Sequence, residues 1–232
     1  MTNKKTELIK ALKEAFPTTI PVLTGFLTLG IAYGILMKTN GYGVLWAFLM
    51  SAVCFCGSMQ FAAITFLTTS FNPLSAFLLS LLVNARHLFY GLSLLQKYKG
   101  MGKLKFFLIY LLCDETYSIV SSKEPKEGVN RKYYYGFVSI LDYIYWITGT
   151  VIGSIAGGLI TFNTKGLDFA LTALFVVLFA EQMKNKKNWI LGFIGILSTV
   201  LSLAIFGENN LVIPAMIMII ILLIMGRNKL CN

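Results

Sequence analysis

Asn84, Ala85, Arg86 and His87 lie in the middle of an apolar run from Pro73 to Leu95, and they include the single histidine of the chain. A charge in a lipid-soluble segment costs about 2.5–3.5 kcal/mol on insertion scales, so such a residue faces a protein interior, a water-filled path or a substrate. A guanidinium can grip a carboxylate through two parallel hydrogen bonds. An imidazole, with a reference pKa of ~6.5, can carry a proton near neutral pH. Asp114 and Glu115 interrupt a second apolar stretch, Phe106 to Val120, roughly 13 Å of helix beyond Lys105. Ser58 and Gln60 interrupt a third, Val44 to Thr69. These residues predict a membrane transport site.

Each residue also has a plainer role to set beside that one. His87 is either bonded to a carbonyl in a helical core or titrating. Arg86 would have to reach ~18 Å along a helix to snorkel to the level of Tyr98, and a side chain of ~6–7 Å cannot do so. Pairing with Asp114 or Glu115 is its structural role, and holding a substrate carboxylate its functional one. Ser58 and Gln60 read first as caps of broken helix ends, where free N–H groups also suit a carboxylate. On a regular helix Asn84 and His87 share a face, whereas Arg86 projects about 200° from Asn84, so the three could not all touch one ligand. The residues expected to bind substrate are Ser58, Gln60, Asn84 and Arg86; those expected to couple protons are His87, Asp114 and Glu115. Asp142, Asp168 and Glu181 lie nearer span ends or aromatic belts and read as interface residues, and Trp46, Trp146 and Trp189 as packing or headgroup anchors.

The elements that must position these groups are membrane helices. With 232 residues, 56% hydrophobic, 13% charged and a mean hydropathy of +0.73, the chain is too apolar for a soluble globule. Apolar stretches long enough for a bilayer core occupy nearly its whole length, leaving no room for a separate soluble domain. The net charge of +10 does not point to nucleic acid, because the basic residues fall in short clusters between apolar segments rather than along one polar face. Lys4, Lys5, Lys10 and Lys13 form one cluster, Lys97, Lys99, Lys103 and Lys105 a second, Lys184, Lys186 and Lys187 a third, and Arg227 and Lys229 a fourth. The positive-inside rule puts all four in the cytoplasm, with both termini. Cys54, Cys56, Cys113 and Cys231 lack metal or redox spacing and read as small hydrophobes. Residues 1–16 lack the apolar core and cleavage site of a signal peptide.

Leu8, Leu12 and Phe16 recur at helical spacing, which predicts a short amphipathic helix in the cytoplasmic interface ended by Pro17. Residues 17–226 then form one transmembrane transport domain, and 227–232 a short basic tail. Spans are expected at 18–37, 44–69, 74–95, 106–120, 133–160, 167–183, 189–206 and 211–225, seven to eight crossings in all. The run 44–69 has a polar middle, Cys56-Gly57-Ser58-Met59-Gln60, that fits either a discontinuous helix lining a cavity or one long tilted helix with a tolerated glycine. Gly149, Gly153 and Gly157 recur every four residues as a close-packing face.

The orientations do not close if every run crosses. An even number of crossings must separate two cytoplasmic clusters, yet three apolar runs lie between the first and second. One run must therefore be abnormal, and 44–69 is the foremost candidate for a re-entrant pair of half-helices. The segment 106–120, with lysines on both flanks, is the next. A faint internal echo, Leu45, Leu49 and Gln60 with Leu167, Leu171 and Gln182, and Gly30 and Gly34 with Gly153 and Gly157, hints at duplicated architecture.

Taken in order, the polar interruptions resemble a known family. Gly57-Ser58-Met59-Gln60-Phe61-Ala62-Ala63, then Val83-Asn84-Ala85-Arg86-His87-Leu88-Phe89-Tyr90, then Leu112-Cys113-Asp114-Glu115, look like the three signature blocks of the AzlC (YgaZ-like) branched-chain amino-acid permeases. The likeness covers nearly the whole chain. This sequence has Met59 where many relatives have a small polar residue and Cys113 where threonine is frequent. The resemblance implies an all-α polytopic protein of the cell membrane, with broken or re-entrant helices. It implies the large subunit of an exporter of branched-chain amino acids, working with a small hydrophobic AzlD-type membrane subunit and without a cofactor or metal. Proton coupling is expected from His87, Asp114 and Glu115. Two rivals are a subunit that forms a pathway only with its partner, and an intramembrane enzyme. The second finds no H-E-x-x-H metal pair and no G-x-S-x-G nucleophile motif in the chain.

Overall fold

The computed structural model describes residues 4–68, 73–159, 176, 179–180, 183, 189–207 and 211–230. Among these every regular element is an α-helix, and the chain divides into two compact units, 1–168 and 169–232. The expected cluster Lys184–Lys187, Asp168, Glu181, Cys231, most of the span 167–183 and the echo residues Leu167, Leu171 and Gln182 lie outside the described residues.

The first unit is built on two long helices, α1 (Lys4–Thr39) and α8 (Arg131–Leu159). They run side by side in the same direction: Asn130 bonds Glu7, Tyr145 bonds Thr19, and Gly153 packs on Ile31. Small residues make the approach close, as the glycine spacing anticipated. A methyl group on Gly34 would collide with the carbonyl of Thr150 and stand 2.5 Å from the nitrogen of Ser154.

Pro17 does not end the first helix. α1 runs unbroken through Pro17 and Pro21, so the amphipathic start and the first span are one element. Proline removes one N–H and crowds the preceding turn, and neighbouring threonine hydroxyls can satisfy the affected carbonyls. Here Thr18 donates to the Glu14 carbonyl, in the turn that the Pro17 ring crowds, at 3.0 Å.

Both suspect runs are broken. The first is α2 (Val44–Val53) and α3 (Gly57–Thr68), so the discontinuous alternative holds. The break falls at residues 54–56, a little earlier than the polar stretch suggested, because Gly57 to Gln60 already form the first turn of α3. At the bend Phe55 takes φ of 36°, a left-handed conformation that costs a bulky residue about 1–2 kcal/mol. Its ring is 95% buried and meets Tyr143 edge-on at 5.0 Å, which holds it there. The two arms run back along each other. Gln60 donates to Ser51 at 2.9 Å near the bend, and Tyr42, before α2, donates to the Leu67 carbonyl at 2.8 Å near the end of α3. At 1.5 Å per residue the arms are about 15–18 Å long, half of a ~30 Å hydrocarbon core. This is the geometry of a re-entrant hairpin.

α4 (Pro73–Asn84) and α5 (Arg86–Leu94) follow, interrupted only at Ala85, which keeps helical dihedrals. The second hairpin is α6 (Leu104–Tyr110) and α7 (Asp114–Ser122). α7 lies parallel to α5: Tyr90 bonds Asp114, Tyr117 bonds Ser93, and Lys97 donates to the carbonyls of Val120 and Ser121. The end of α7 therefore sits beside the loop from which α6 started. Glu124 closes that end with Lys97 at 3.1 Å and Arg131 at 3.2 Å.

The two hairpins enter from opposite ends of the unit, and their bends touch. Tyr110, the last residue of α6, donates to the carbonyls of Ala52 and Val53 at 2.7 and 2.9 Å, and Tyr143 of α8 donates to that of Ala52 at 2.9 Å. These are orphan carbonyls at the C-terminus of α2, which would otherwise lack partners. Because Ala52 has two donors, Tyr110→Phe or Tyr143→Phe alone is expected to cost about 0.5–1.5 kcal/mol. The double variant leaves Ala52 without either and should cost more than the two singles together. Thermal unfolding in detergent reads the difference, and a merely additive loss would contradict the shared cap.

A run flanked by lysines on both sides is thus a hairpin rather than a crossing, and the parity problem disappears. In the second unit, α9 (Trp189–Phe206) and α10 (Val212–Leu230) pack on each other. Among the described residues four helices are long and apolar enough to cross a membrane: Lys4–Thr39, Ala76–Leu94, Arg131–Leu159 and Trp189–Phe206.

Candidate substrate site at the meeting of the hairpins

Three helix starts converge where the bends meet. α3 begins at Gly57 after the first bend, α5 at Arg86 after the Ala85 interruption, and α7 at Asp114 after the second bend. The Arg86 side chain links all three. Its Nη1 pairs with Asp114 Oδ2 at 2.6 Å, and its Nη2 donates to Ser58 Oγ at 3.0 Å. The other carboxylate oxygen of Asp114 accepts the Tyr90 hydroxyl at 2.9 Å, and the Tyr90 ring stacks on Tyr117 at 4.2 Å. Arg86 Nε is buried and has no hydrogen-bond partner.

Asn84 reaches the same place. Its Oδ1 accepts the Cys56 thiol at 2.9 Å while its Nδ2 donates to the Ser80 carbonyl. Asn84 and Arg86 thus both face the start of α3, through Cys56 and Ser58, although a regular helix would set them far apart. The length of the arginine makes this possible. His87 stays local, with Nδ1 3.3 Å from the Asn84 carbonyl oxygen and its ring edge-on to Tyr90 at 5.5 Å. Glu115 is half-buried on the first turn of α7, next to Asp114.

Gln60 belongs to a different cluster. It is 1% exposed, and its amide is used at both ends: Nε2 donates to Ser51 Oγ and Oε1 accepts Trp146 Nε1, each at 2.9 Å. Ser51 passes its own proton to Thr150 at 2.9 Å. This network pins the first hairpin to α8, and Trp146, packed on Phe26 and Tyr33, is a core residue. Trp46 and Trp189 are well exposed, as anchors would be.

Asp142 departs from expectation. Its surroundings in the sequence read as interface, but it is fully buried on α8, where its Oδ2 accepts the Thr116 hydroxyl at 2.7 Å and its Oδ1 has no partner. Its position carried the signal: it lies eleven residues into a 29-residue helix, roughly 16 Å from the end. Tyrosines on either side gave the look of an aromatic belt and masked that depth. Tyr117 was missed, since tyrosine in an apolar helix carries no special sequence signal, and Tyr90 was noted only as the last residue of the second signature block. Among the described residues no group of three His, Cys, Asp or Glu could hold a metal ion.

The site therefore gathers a guanidinium, a carboxylate, a serine hydroxyl and the starts of half-helices deep between two hairpins. Fold and site together define a polytopic all-α membrane protein with an ion pair at the junction of two re-entrant hairpins. The chain matches the family described as AzlC protein over residues 21–160, and it belongs to that family. It is 45% identical over 228 residues to the branched-chain amino acid transport protein AzlC of Bacillus subtilis, covering 98% of this chain and 90% of that one. An uncharacterized membrane protein of Helicobacter pylori is 38% identical over 224 residues, covering 97% and 98%. The inner membrane protein YgaZ of Escherichia coli is 24% identical over 184 residues, covering 75% and 74%. No solved structure matches the chain.

Proposed function

We propose that this chain is the large subunit of a secondary transporter that exports branched-chain or similar apolar amino acids across the cell membrane in exchange for protons. The observation that carries this reading is the Arg86–Asp114 ion pair joining the two hairpins, with Ser58 beside it. A zwitterion can replace such a pair without net charge transfer into the membrane. Its carboxylate takes Arg86, Ser58 and the free N–H groups at the start of α3, and its ammonium takes Asp114. Each half of the broken pair then has an opposite charge again, so the site never holds an uncompensated ion, which would be the costly case. Asn84 positions the start of α3 through Cys56, and His87, Asp114 and Glu115 are the groups that relay protons between water and the interior of the unit. The name of the Bacillus subtilis relative supports the substrate class.

Two crossings, α1 and α4–α5, then separate the first two lysine clusters, which agrees with cytoplasmic placement of both. A small hydrophobic AzlD-type subunit completes the complex, and the lipid bilayer covers the rest of the apolar surface.

The test is efflux of labelled leucine, valine, isoleucine and methionine from proteoliposomes, with and without the small subunit. Efflux should quicken when the outside is acidified and slow when an uncoupler is added. Indifference to the uncoupler would remove the proton from the mechanism. Failure of all four substrates to exchange would remove the amino acid.

A further inference from the structure

We propose that Asp142 is the residue that carries the exchanged proton, and that the first turn of α7 ties its exposure to the state of the substrate pair. The proposal deepens the transport reading above and rests on it.

The geometry starts from a charge with no counter-ion. Asp142 is fully buried in the middle of α8; one oxygen accepts the Thr116 hydroxyl and the other, Oδ1, has no partner, while the nearby Ser139 hydroxyl, one helical turn earlier, is equally buried and unpartnered. No ion pair reaches Asp142 among the described residues. The groups around it do not supply one. From α7 and the bend before it come Glu115 and Cys113, both acids. The stretch of α1 from Thr18 to Met37 and all of α2 contain no charged residue, and in α6 Lys105 lies at the far end while Tyr110 is engaged with α2. On α8 itself the nearest titratable groups, Tyr143 and Tyr145, bond to Ala52 and Thr19. A carboxylate here would be an uncompensated buried ion, so the neutral acid is the form this enclosure accepts.

The link to the substrate is short. Asp114 and Thr116 are two residues apart on the first turn of α7, one on Arg86 and the other on Asp142. When a substrate opens the Arg86–Asp114 pair, that turn keeps only the Tyr90 and Tyr117 contacts to α5, and Thr116 can move off Asp142. Water then reaches the acid. The O–H bond of Asp142 breaks to give its proton to water, forming hydronium, on one side of the membrane, and re-forms by taking a proton from hydronium on the other; no bond between heavy atoms changes.

Asp142→Asn keeps the shape and the hydrogen bond from Thr116 but cannot ionise. In proteoliposomes it should retain exchange of internal for external labelled leucine at near wild-type rate and lose at least tenfold of the leucine efflux driven by an imposed pH gradient. Retained exchange also shows that the variant has folded. Gradient-driven efflux equal to wild type would overturn the proposal, as would a Glu115→Gln variant that uncouples while Asp142→Asn does not. So would driving by a sodium gradient in place of a proton gradient. Should Asp142→Asn fail to insert, Thr116→Val is the second probe. It is expected to preserve exchange and move the pH dependence of driven efflux, and an unmoved profile would overturn the link through α7. If wild-type protein exchanges no amino acid at all, it is the substrate reading that fails, an outcome readily told apart from these.

Discussion

Arg86→Ala is expected to insert in the membrane but fold less well and to reduce transport about 30–150-fold, and Asp114→Ala to do the same. Arg86 and Asp114 are 35% and 33% exposed, so water softens the loss of either partner below the ~3–5 kcal/mol of a fully buried pair. A loss of about 2–3 kcal/mol in substrate grip still corresponds to a factor of about 30–150. The single variants do not separate a structural pair from a binding site, but the double variant does. Removing both charges leaves no ion unpaired, only the hydroxyls of Ser58 and Tyr90, so the amount of folded Arg86→Ala/Asp114→Ala protein should largely recover. Transport should not, because neither end of the zwitterion then has a partner. Restored transport in the double variant would reduce the pair to a brace between hairpins.

Gly34→Ala should cost most of the folded protein, whereas Gly25→Ala, on the same helix, should cost almost none. The added carbon at position 34 would strike backbone atoms of Thr150 and Ser154, which cannot rotate aside, while at position 25 nothing lies within 4 Å. Separating α1 from α8 also disturbs everything fixed between them, including the Trp146 and Tyr33 contact that supports Gln60. Overpacking costs about 1–3 kcal/mol where side chains can yield, and backbone against backbone should lie at or above the upper end. Yield and thermal midpoint of the purified variants measure it. Equal stability of the Gly34→Ala and Gly25→Ala variants would show that the two long helices can separate freely.

Much of this arrangement was legible in the residues. Three apolar runs between two basic clusters already required one abnormal run, because charge placement obeys parity whatever the packing, and they pointed first to 44–69 and then to 106–120. Arg86 announced itself through its cost in lipid, and its pairing with Asp114 was one of two partners named. What sequence could not supply was direction in space. Gln60 and Ser58 are two residues apart, yet one is consumed in pinning α3 to α8 and the other faces Arg86. Periodicity gives each a helix face but not which neighbour that face meets. Asp142 hid for a related reason: depth follows from where a helix begins, and Tyr133, Tyr134 and Tyr135 looked like a headgroup belt. Pro17 misled because its usual effect, ending a helix, is offset where the helix packs along α8 and Thr18 bonds a carbonyl of the crowded turn.

The partners of α1 have a bearing on how the chain is made. Its bonds to α8 join residues 116 to 126 positions apart, and the first hairpin is fastened by Trp146 and Tyr143 from that same late helix. At about 5–20 residues per second, ribosomes need roughly 6–25 s to deliver the missing half. Throughout that interval a glycine-lined helix and two half-depth arms, lacking Trp146 and the Tyr143 donor to Ala52, must wait beside the insertion machinery. Biogenesis of this protein is thus set by the arrival of one segment, residues 131–159, and a ribosome stalled just before it would leave an intermediate that insertion factors or membrane proteases should recognise.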